Sequence, residues 1–539
     1  MSSESLRGLT RGALSFFSGT FLSRITGLVR DVSMAFCFGS HPALAAFMVA
    51  YRLANLFRRL LGEGPLPSGF VPHFEMIRKE SPQAGARFFR DVFFSLLILL
   101  LGVLCLSEVS LFALIKYSSL TSSYKEILHL MFLMMPGILF ICLYGISTAL
   151  LQCEKKFFFP SMAPSLFNIV WISAVFVFRH SLPSEAVLGL SLAVVLGFFM
   201  QWAFLVPLMK NYLRALISWK EIFSFQFFSG EVKAVIKPFL LGVIGVASTQ
   251  VNSALDALFA RYASLEGPAY LWFAIRIEQL PIALFGIALS SALLPPLSRA
   301  IAAGNWTQFR ELMRFSLTRT FSFIFPCSVA LFVLASSGVN LLYGRGDFSM
   351  NATSQTIYCL WGYGLGLIPA VLILLMAPAF YSQKDFKTPM RASMLSVAVN
   401  IFLNALFVFA FKWGAFSIAL ATSVAAWVNF LVLAQALKNR NIWEGERGVF
   451  TSFYKTTLCS LGAGVLTLGV GYFLVEDQTI DILSKEIVSF PRVAFRQLFQ
   501  FLSLSGLFIL TFISSVWLFK VEDVLLLLGM SPKKDLVKE

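Results

Sequence analysis

Two neighbouring stretches decide how the rest of the chain is read. They are Ser23–Ser40, SRITGLVRDVSMAFCFGS, and Ala46–Pro72, AFMVAYRLANLFRRLLGEGPLPSGFVP. Both are largely apolar, yet they carry Arg24, Arg30, Asp31, Arg52, Arg58, Arg59 and Glu63. A charge at the centre of a membrane helix costs roughly 2.5–3.5 kcal/mol on insertion scales, so arginines placed there point first to function. On a helical wheel Arg24 and Asp31 share one face, and Arg52, Asn55, Arg59 and Glu63 share another. The pattern predicts a basic, partly neutralised patch lining an internal cavity, suited to an anion that must enter a membrane. The competing reading is a structural ion-pair network, in which Arg24–Asp31 and Arg59–Glu63 can both be drawn.

The whole chain agrees with a membrane setting. Of its 539 residues 58% are hydrophobic and only 13% charged, which excludes an ordinary soluble protein. Apolar runs of spanning length recur about 14 times. They cover approximately 12–37, 43–62, 86–113, 124–152, 160–178, 184–209, 234–261, 270–298, 312–340, 354–382, 390–411, 413–437, 452–474 and 497–519. The expected fold is an all-α polytopic membrane protein. The first span holds Arg24 and Arg30 and lacks a small-residue cleavage site, so it is expected to stay in the mature protein.

A net charge of +15 would suggest nucleic acid in a soluble protein. With the N-terminus inside, about 28 of the 43 Lys and Arg fall in cytoplasmic loops, the ordinary bias of membrane proteins. That predicts N-in, C-in topology and no nucleic-acid partner. The seven cysteines are scattered without C-x-x-C, and the four histidines lack metal-ligand spacing.

The sequence also repeats. Tyr51–Leu56 pairs with Ile275–Leu280, which makes Arg276 the counterpart of Arg52. Lys156–Pro160 pairs with Asp385–Pro389, Asn168-Ile169 with Asn400-Ile401, and Met209–Asn211 with Leu437–Asn439. The offsets stay within about 224 to 232 residues, as duplication predicts. A six-helix unit gives parallel repeats about an axis along the membrane normal, with the substrate site between them. The expected domains are 1–222 (N-lobe, helices 1–6), 223–445 (C-lobe, helices 7–12) and 446–539 (helices 13–14 and a cytoplasmic tail). Gly62–Gly69, with two prolines and three glycines, must interrupt helix 2.

The run S-R-x-x-G-x-x-R-D, then A-F-x-V-A-Y-R-L-x-N-L-x-R-R-x-x-x-E-G, then F-V-P, resembles the opening signature of the MurJ (MviN-type) lipid II flippases. That family belongs to the superfamily that includes the multidrug antiporters. Ala377–Pro389 is similar to the family's loop between helices 10 and 11. One position departs, since Ala45 stands where the family is expected to carry an acid. The resemblance implies substrate handling by Arg24, Arg30, Asp31, Arg58 and Arg276, a lateral portal between helices 1 and 8, and a lipid-tail groove in helices 13–14.

The residues themselves suit that substrate. Arginine's planar fork donates bidentate hydrogen bonds and cannot deprotonate, which fits a diphosphate. Arg24, Arg30, Arg52 and Arg58 from the first lobe and Arg276 from the second form the cationic part of the candidate site. Asp31, Asn55 and Glu63 complete it. Wheel geometry favours Arg59 over Arg58, and the resemblance favours Arg58, so both stay open. Asp256, Asn400, Asn404 and Thr422 supply hard oxygen donors for a candidate sodium site, with hydrogen-bonded helix packing as the alternative. Paired catalytic carboxylates, a nucleophile elbow and a nucleotide-binding loop are all missing, which excludes the usual enzyme and ATPase readings.

The reading is a flippase that moves an undecaprenyl-diphosphate-linked peptidoglycan precursor across the bacterial inner membrane by alternating access. No cofactor is expected, with sodium or the membrane potential as driving force. Membrane lipids and cell-wall synthesis proteins are the further partners. A cation-coupled exporter of small amphipathic compounds and a non-transporting scaffold for wall synthesis are the alternatives.

Overall fold

The computed structural model describes residues 3–61, 65–227, 229–442, 447–474 and 493–527. These residues fold as helices without a strand. They divide into two compact units at Arg261.

The first unit holds α1 (Ser3–Phe38), α2 (Pro42–Leu61), α3 (Pro65–Glu80), α4 (Pro82–Tyr117), α5 (Ser122–Met134) and α6 (Gly137–Cys153). It continues through α7 (Phe158–Val177), α8 (Pro183–Ala203), α9 (Val206–Leu216), α10 (Trp219–Phe223) and α11 (Gly230–Ala263). Starts and breaks follow local chemistry. The Ser81 hydroxyl accepts from the Ala84 amide and Pro82 opens α4, so two of the usual terminal donors need no further partner. Pro136 separates α5 from α6, bending that span by 46°. Helix runs from Pro65, so the Pro65–Gly69 part of the stretch expected to interrupt helix 2 is helical, and Gly62, Glu63 and Gly64 lie outside the described residues. By its packing α11 belongs to the first unit, where Arg261 donates to the Pro42 carbonyl at 2.8 Å and to the Ser123 hydroxyl at 2.7 Å. The sequence reading places the same helix first in the lobe 223–445, whereas the packing divides the chain at Arg261.

The second unit holds α12 (Gly267–Pro281), a π-helical turn (Ile282–Ile287), α13 (Ala288–Ala302), α14 (Trp306–Val333) and α15 (Ala335–Tyr343). After these come α16 (Met350–Ser382), α17 (Lys387–Ala405), a second π-helical turn (Leu406–Ala410) and α18 (Phe416–Asn439). The last helices are α19 (Arg447–Leu474), α20 (Ala494–Leu518) and α21 (Glu522–Leu527). Its core joins Leu297, Phe309, Met313, Leu375, Phe380 and Leu433. α16 crosses α18 closely because Gly362 and Gly366 present no side chain there. A Cβ on Gly366 would stand 2.5 Å from the Ser423 hydroxyl, which itself donates to the Gly362 carbonyl at 2.6 Å. Small residues four apart are a common device for close helix approach in lipid.

A helix, or a pair broken by a bend or π turn, covers each of the fourteen expected spans. Eight of the described helices are long and apolar enough to cross a membrane, nine when the bent pair α5–α6 is one span. α1 and α2 fall outside that set, and their charges supply the physical reason: Arg24, Arg30 and Asp31 in one, Arg52, Arg58 and Arg59 in the other. On α4 and α20, Leu106, Val109, Phe112, Phe499 and Leu510 are exposed apolar side chains, as lipid contact requires.

Candidate functional site

α1 lies against α7, and one cation holds much of that contact. Arg30 and Asp31 are both buried, at 7% and 3% exposure. The Arg30 Nε and Nη2 donate to Asp31 Oδ1 at 3.0 and 2.8 Å, and Nη1 donates to Asn168 Oδ1 at 3.1 Å. The guanidinium also lies 4.7 Å from the ring centre of Trp171. Trp171 is held in turn by edge contacts with Phe47 (5.3 Å), Tyr51 (4.9 Å) and Phe167 (5.4 Å). Asn168 spends its amide hydrogens on the Ser23 carbonyl and the Thr26 hydroxyl, each at 3.1 Å.

This arrangement gives different surroundings to two arginines that the sequence placed in one cationic set, Arg24 and Arg30. Three of Arg30's five N–H donors are engaged inside the unit and its face is stacked, so it positions α1 more than it offers a free fork. Asp31 pairs with its neighbour Arg30 and not with Arg24 as the network reading would have it. Arg24, two turns earlier, is exposed.

On α2 the fully buried run Leu44–Ala50 anchors the helix. Ala45, the departure from the family pattern, is completely enclosed. Beyond that run Arg52, Asn55 and Arg58 are half-buried and Arg59 is exposed. Arg59 donates to the Gln250 side chain on α11 at 3.1 Å, giving it a partner that the sequence did not suggest. The carbonyl oxygen of Asn55 is buried with no hydrogen-bond partner among the described residues. Glu63 lies outside the described residues.

In the second unit Arg276 is half-buried and stacks on Trp272, one turn before it, at 4.5 Å. Each unit therefore keeps an arginine over an indole. Asp256 is buried on α11 in the first unit. In the second, Asn400 and Asn404 are fully enclosed one turn apart on α17, which packs on α18. Thr422 on α18 donates its hydroxyl to the Ile418 carbonyl of its own helix at 3.0 Å.

Asn168 and Trp171 are the residues that sequence reasoning missed as part of this cluster. The signal for the first existed, because Asn168 is the repeat counterpart of Asn400, and both are buried polar residues in apolar helices. Trp171 carried none, since one aromatic in a helix rich in them is unremarkable until its neighbours are known.

Long apolar helices that bury a compensated charge pair mark a multi-pass membrane protein. The description "Lipid II flippase MurJ" fits residues 34–482 of the sequence. A probable lipid II flippase MurJ from Chlamydia trachomatis is 32% identical over 528 residues, covering 97% of this chain and 96% of that protein. Another, from Chlamydia pneumoniae, is 34% identical and covers 96% and 94%. The lipid II flippase MurJ of Burkholderia cenocepacia is 28% identical, covering 86% and 89%. The chain belongs to the MurJ family of lipid II flippases.

Solved structures agree on the fold. A lipid II flippase MurJ in an inward closed conformation superposes with a TM-score of 0.70 at 24% identity, over 94% of this chain and 99% of that one. An inward-facing multidrug transporter of the MATE family superposes with 0.63 at 15% identity, over 80% and 100%. At these identities the likeness concerns fold alone.

Proposed function

We propose that the protein carries lipid II, the undecaprenyl-diphosphate-linked peptidoglycan precursor, from the inner to the outer leaflet of the bacterial cytoplasmic membrane. The observation that carries this reading is the arginine set of α1 and α2 in a chain of this family, with Arg30 buried against Asp31 and Arg24 exposed on the same helix. Sugars and a diphosphate cannot cross roughly 30 Å of hydrocarbon without polar partners. Arg24, Arg52, Arg58 and Arg276 supply fixed positive charge for the diphosphate, and Arg30 with Asp31 holds α1 in place. The polyprenyl tail stays in lipid. Fourteen spans with both termini in the cytoplasm are the topology this reading uses, and alternating access is its mechanism. Sodium bound through Asp256, Asn400, Asn404 and Thr422, or the membrane potential, would drive it.

The test is reconstitution of the purified chain into vesicles holding labelled lipid II in one leaflet. Transfer to the other leaflet, lost with Arg24→Ala, is the expected result. Transfer no faster than in protein-free vesicles overturns the reading.

A further inference from the structure

Glu278 is handled differently from Asp31 and Asp91, two other buried acids of this protein. Asp31 and Asp91 each pair with the arginine immediately before them, Arg30 at 2.8 Å and Arg90 at 2.7 Å. Glu278 is 8% exposed and makes no hydrogen bond or ion pair among the described residues. Arg276 is close in sequence but two positions along a helix point to nearly opposite sides. Its guanidinium instead turns back onto Trp272, one turn earlier.

The surroundings offer no substitute charge. α12 packs on α16, on α14 and on the π-helical turn that follows it. α16 contains no Asp, Glu, Lys, Arg or His, and its ionisable groups are Tyr358, Cys359, Tyr363 and Tyr381. The π turn has none. α14 carries Arg310, Glu311, Arg314, Arg319 and Cys327, and α12 itself carries Tyr270 and Arg276. None of these makes an ion pair or hydrogen bond with Glu278 among the described residues. A lone carboxylate in such a place is far costlier than a neutral carboxylic acid.

The acid also stands beside a break. Pro281 has no N–H, so the Ile277 carbonyl lacks its helical donor, and the π turn begins at the next residue. Such turns concentrate at functional positions. The π turn is wedged on α16, where a Cβ on Gly286 would stand 2.9 Å from Leu374.

We infer that Glu278 is a proton-binding site, carrying a proton in this conformation and releasing it in another stage of transport. In that step the carboxyl O–H breaks, its electron pair stays on the carboxylate, and the proton passes to water. The stage of release rests on the transport reading, whereas the bound proton does not.

The experiment is infrared difference spectroscopy on the full chain at neutral pH, comparing wild type, Glu278→Gln, Glu278→Asp and Glu108→Gln. Glu108 on α4 is the control, because both its carboxyl oxygens are buried without a partner among the described residues. A protonated-carboxyl stretch should be present in wild type, absent in Glu278→Gln, displaced in Glu278→Asp and retained in Glu108→Gln, apart from any contribution of Glu108 itself. An imposed pH gradient should change lipid II transfer severalfold in wild type and leave Glu278→Gln unaffected. An identical carboxyl band in wild type and Glu278→Gln overturns the proton site. An unaltered gradient response in Glu278→Gln overturns its role in transport. If no variant moves lipid II while the band behaves as expected, the transport reading fails and the proton site stands.

Discussion

The guanidinium of Arg30 on α1 lies 4.7 Å from the indole centre of Trp171 on α7, in stacking range. Nη1 of the same group reaches Asn168, one turn earlier on α7, at 3.1 Å. One side chain thus joins two helices that are 138 residues apart in sequence, and it also neutralises Asp31. Removing it leaves a buried carboxylate uncompensated.

Arg30→Ala should therefore lower stability as well as transport, by about 3–5 kcal/mol, the usual cost of breaking a buried pair from one side. Arg30→Lys should recover only part, because an ammonium cannot fork to Asp31 and Asn168 while stacking on Trp171. Thermal unfolding in detergent, with membrane abundance by blotting, measures this. Wild-type stability in Arg30→Ala would remove the positioning role.

Arg24→Ala and Arg276→Ala should behave otherwise. Both side chains lie at least partly open, so each variant should insert and melt like wild type yet fail to support growth of a strain depleted of its own flippase. Full rescue by both variants would sink the diphosphate role of the cationic set.

Asp256→Asn should lower transport and remove its dependence on sodium or membrane potential, since the candidate site then keeps no carboxylate. Transport in vesicles with each gradient imposed separately is the assay. Unchanged ion dependence would assign Asp256 to packing.

The turn between α16 and α17 gives a pH prediction. Burial works against the Asp385 carboxylate, yet the Thr388 hydroxyl and amide and Arg440, at 2.5 Å, hold its pKa down at about 2. A depressed carboxylate stabilises fully above the ordinary carboxylate range and loses that contribution as pH falls through its folded value. Asp385→Asn should thus cost about 1 kcal/mol, on the scale of a lost helix cap, with the same difference at pH 7 and at about pH 5. Denaturation of both forms at the two pH values measures it. A difference that already shrinks by pH 5 would contradict the hydrogen-bonded turn.

Much of this fold was legible because apolar length is a local property. The described residues are helical throughout the apolar stretches, eight or nine of their helices are long and apolar enough to cross a membrane, and charge placement marked α1 and α2 before any packing was known. Partners were not legible, because they depend on which helices touch. Arg30 finds Asn168 and Trp171 across the unit, and Arg59 finds Gln250 on α11, where a wheel offered Glu63. The helical state of Pro65–Gly69 was not legible either, because Pro65 is as acceptable at a helix start as in a loop.

The most direct test places this chain in a cell depleted of its own lipid II flippase and measures how lipid II divides between the two leaflets. Expression of the wild-type chain should clear the inner-leaflet accumulation and restore growth, and Arg24→Ala should do neither. Continued inner-leaflet accumulation with wild-type chain abundant in the membrane would contradict lipid II translocation by this protein.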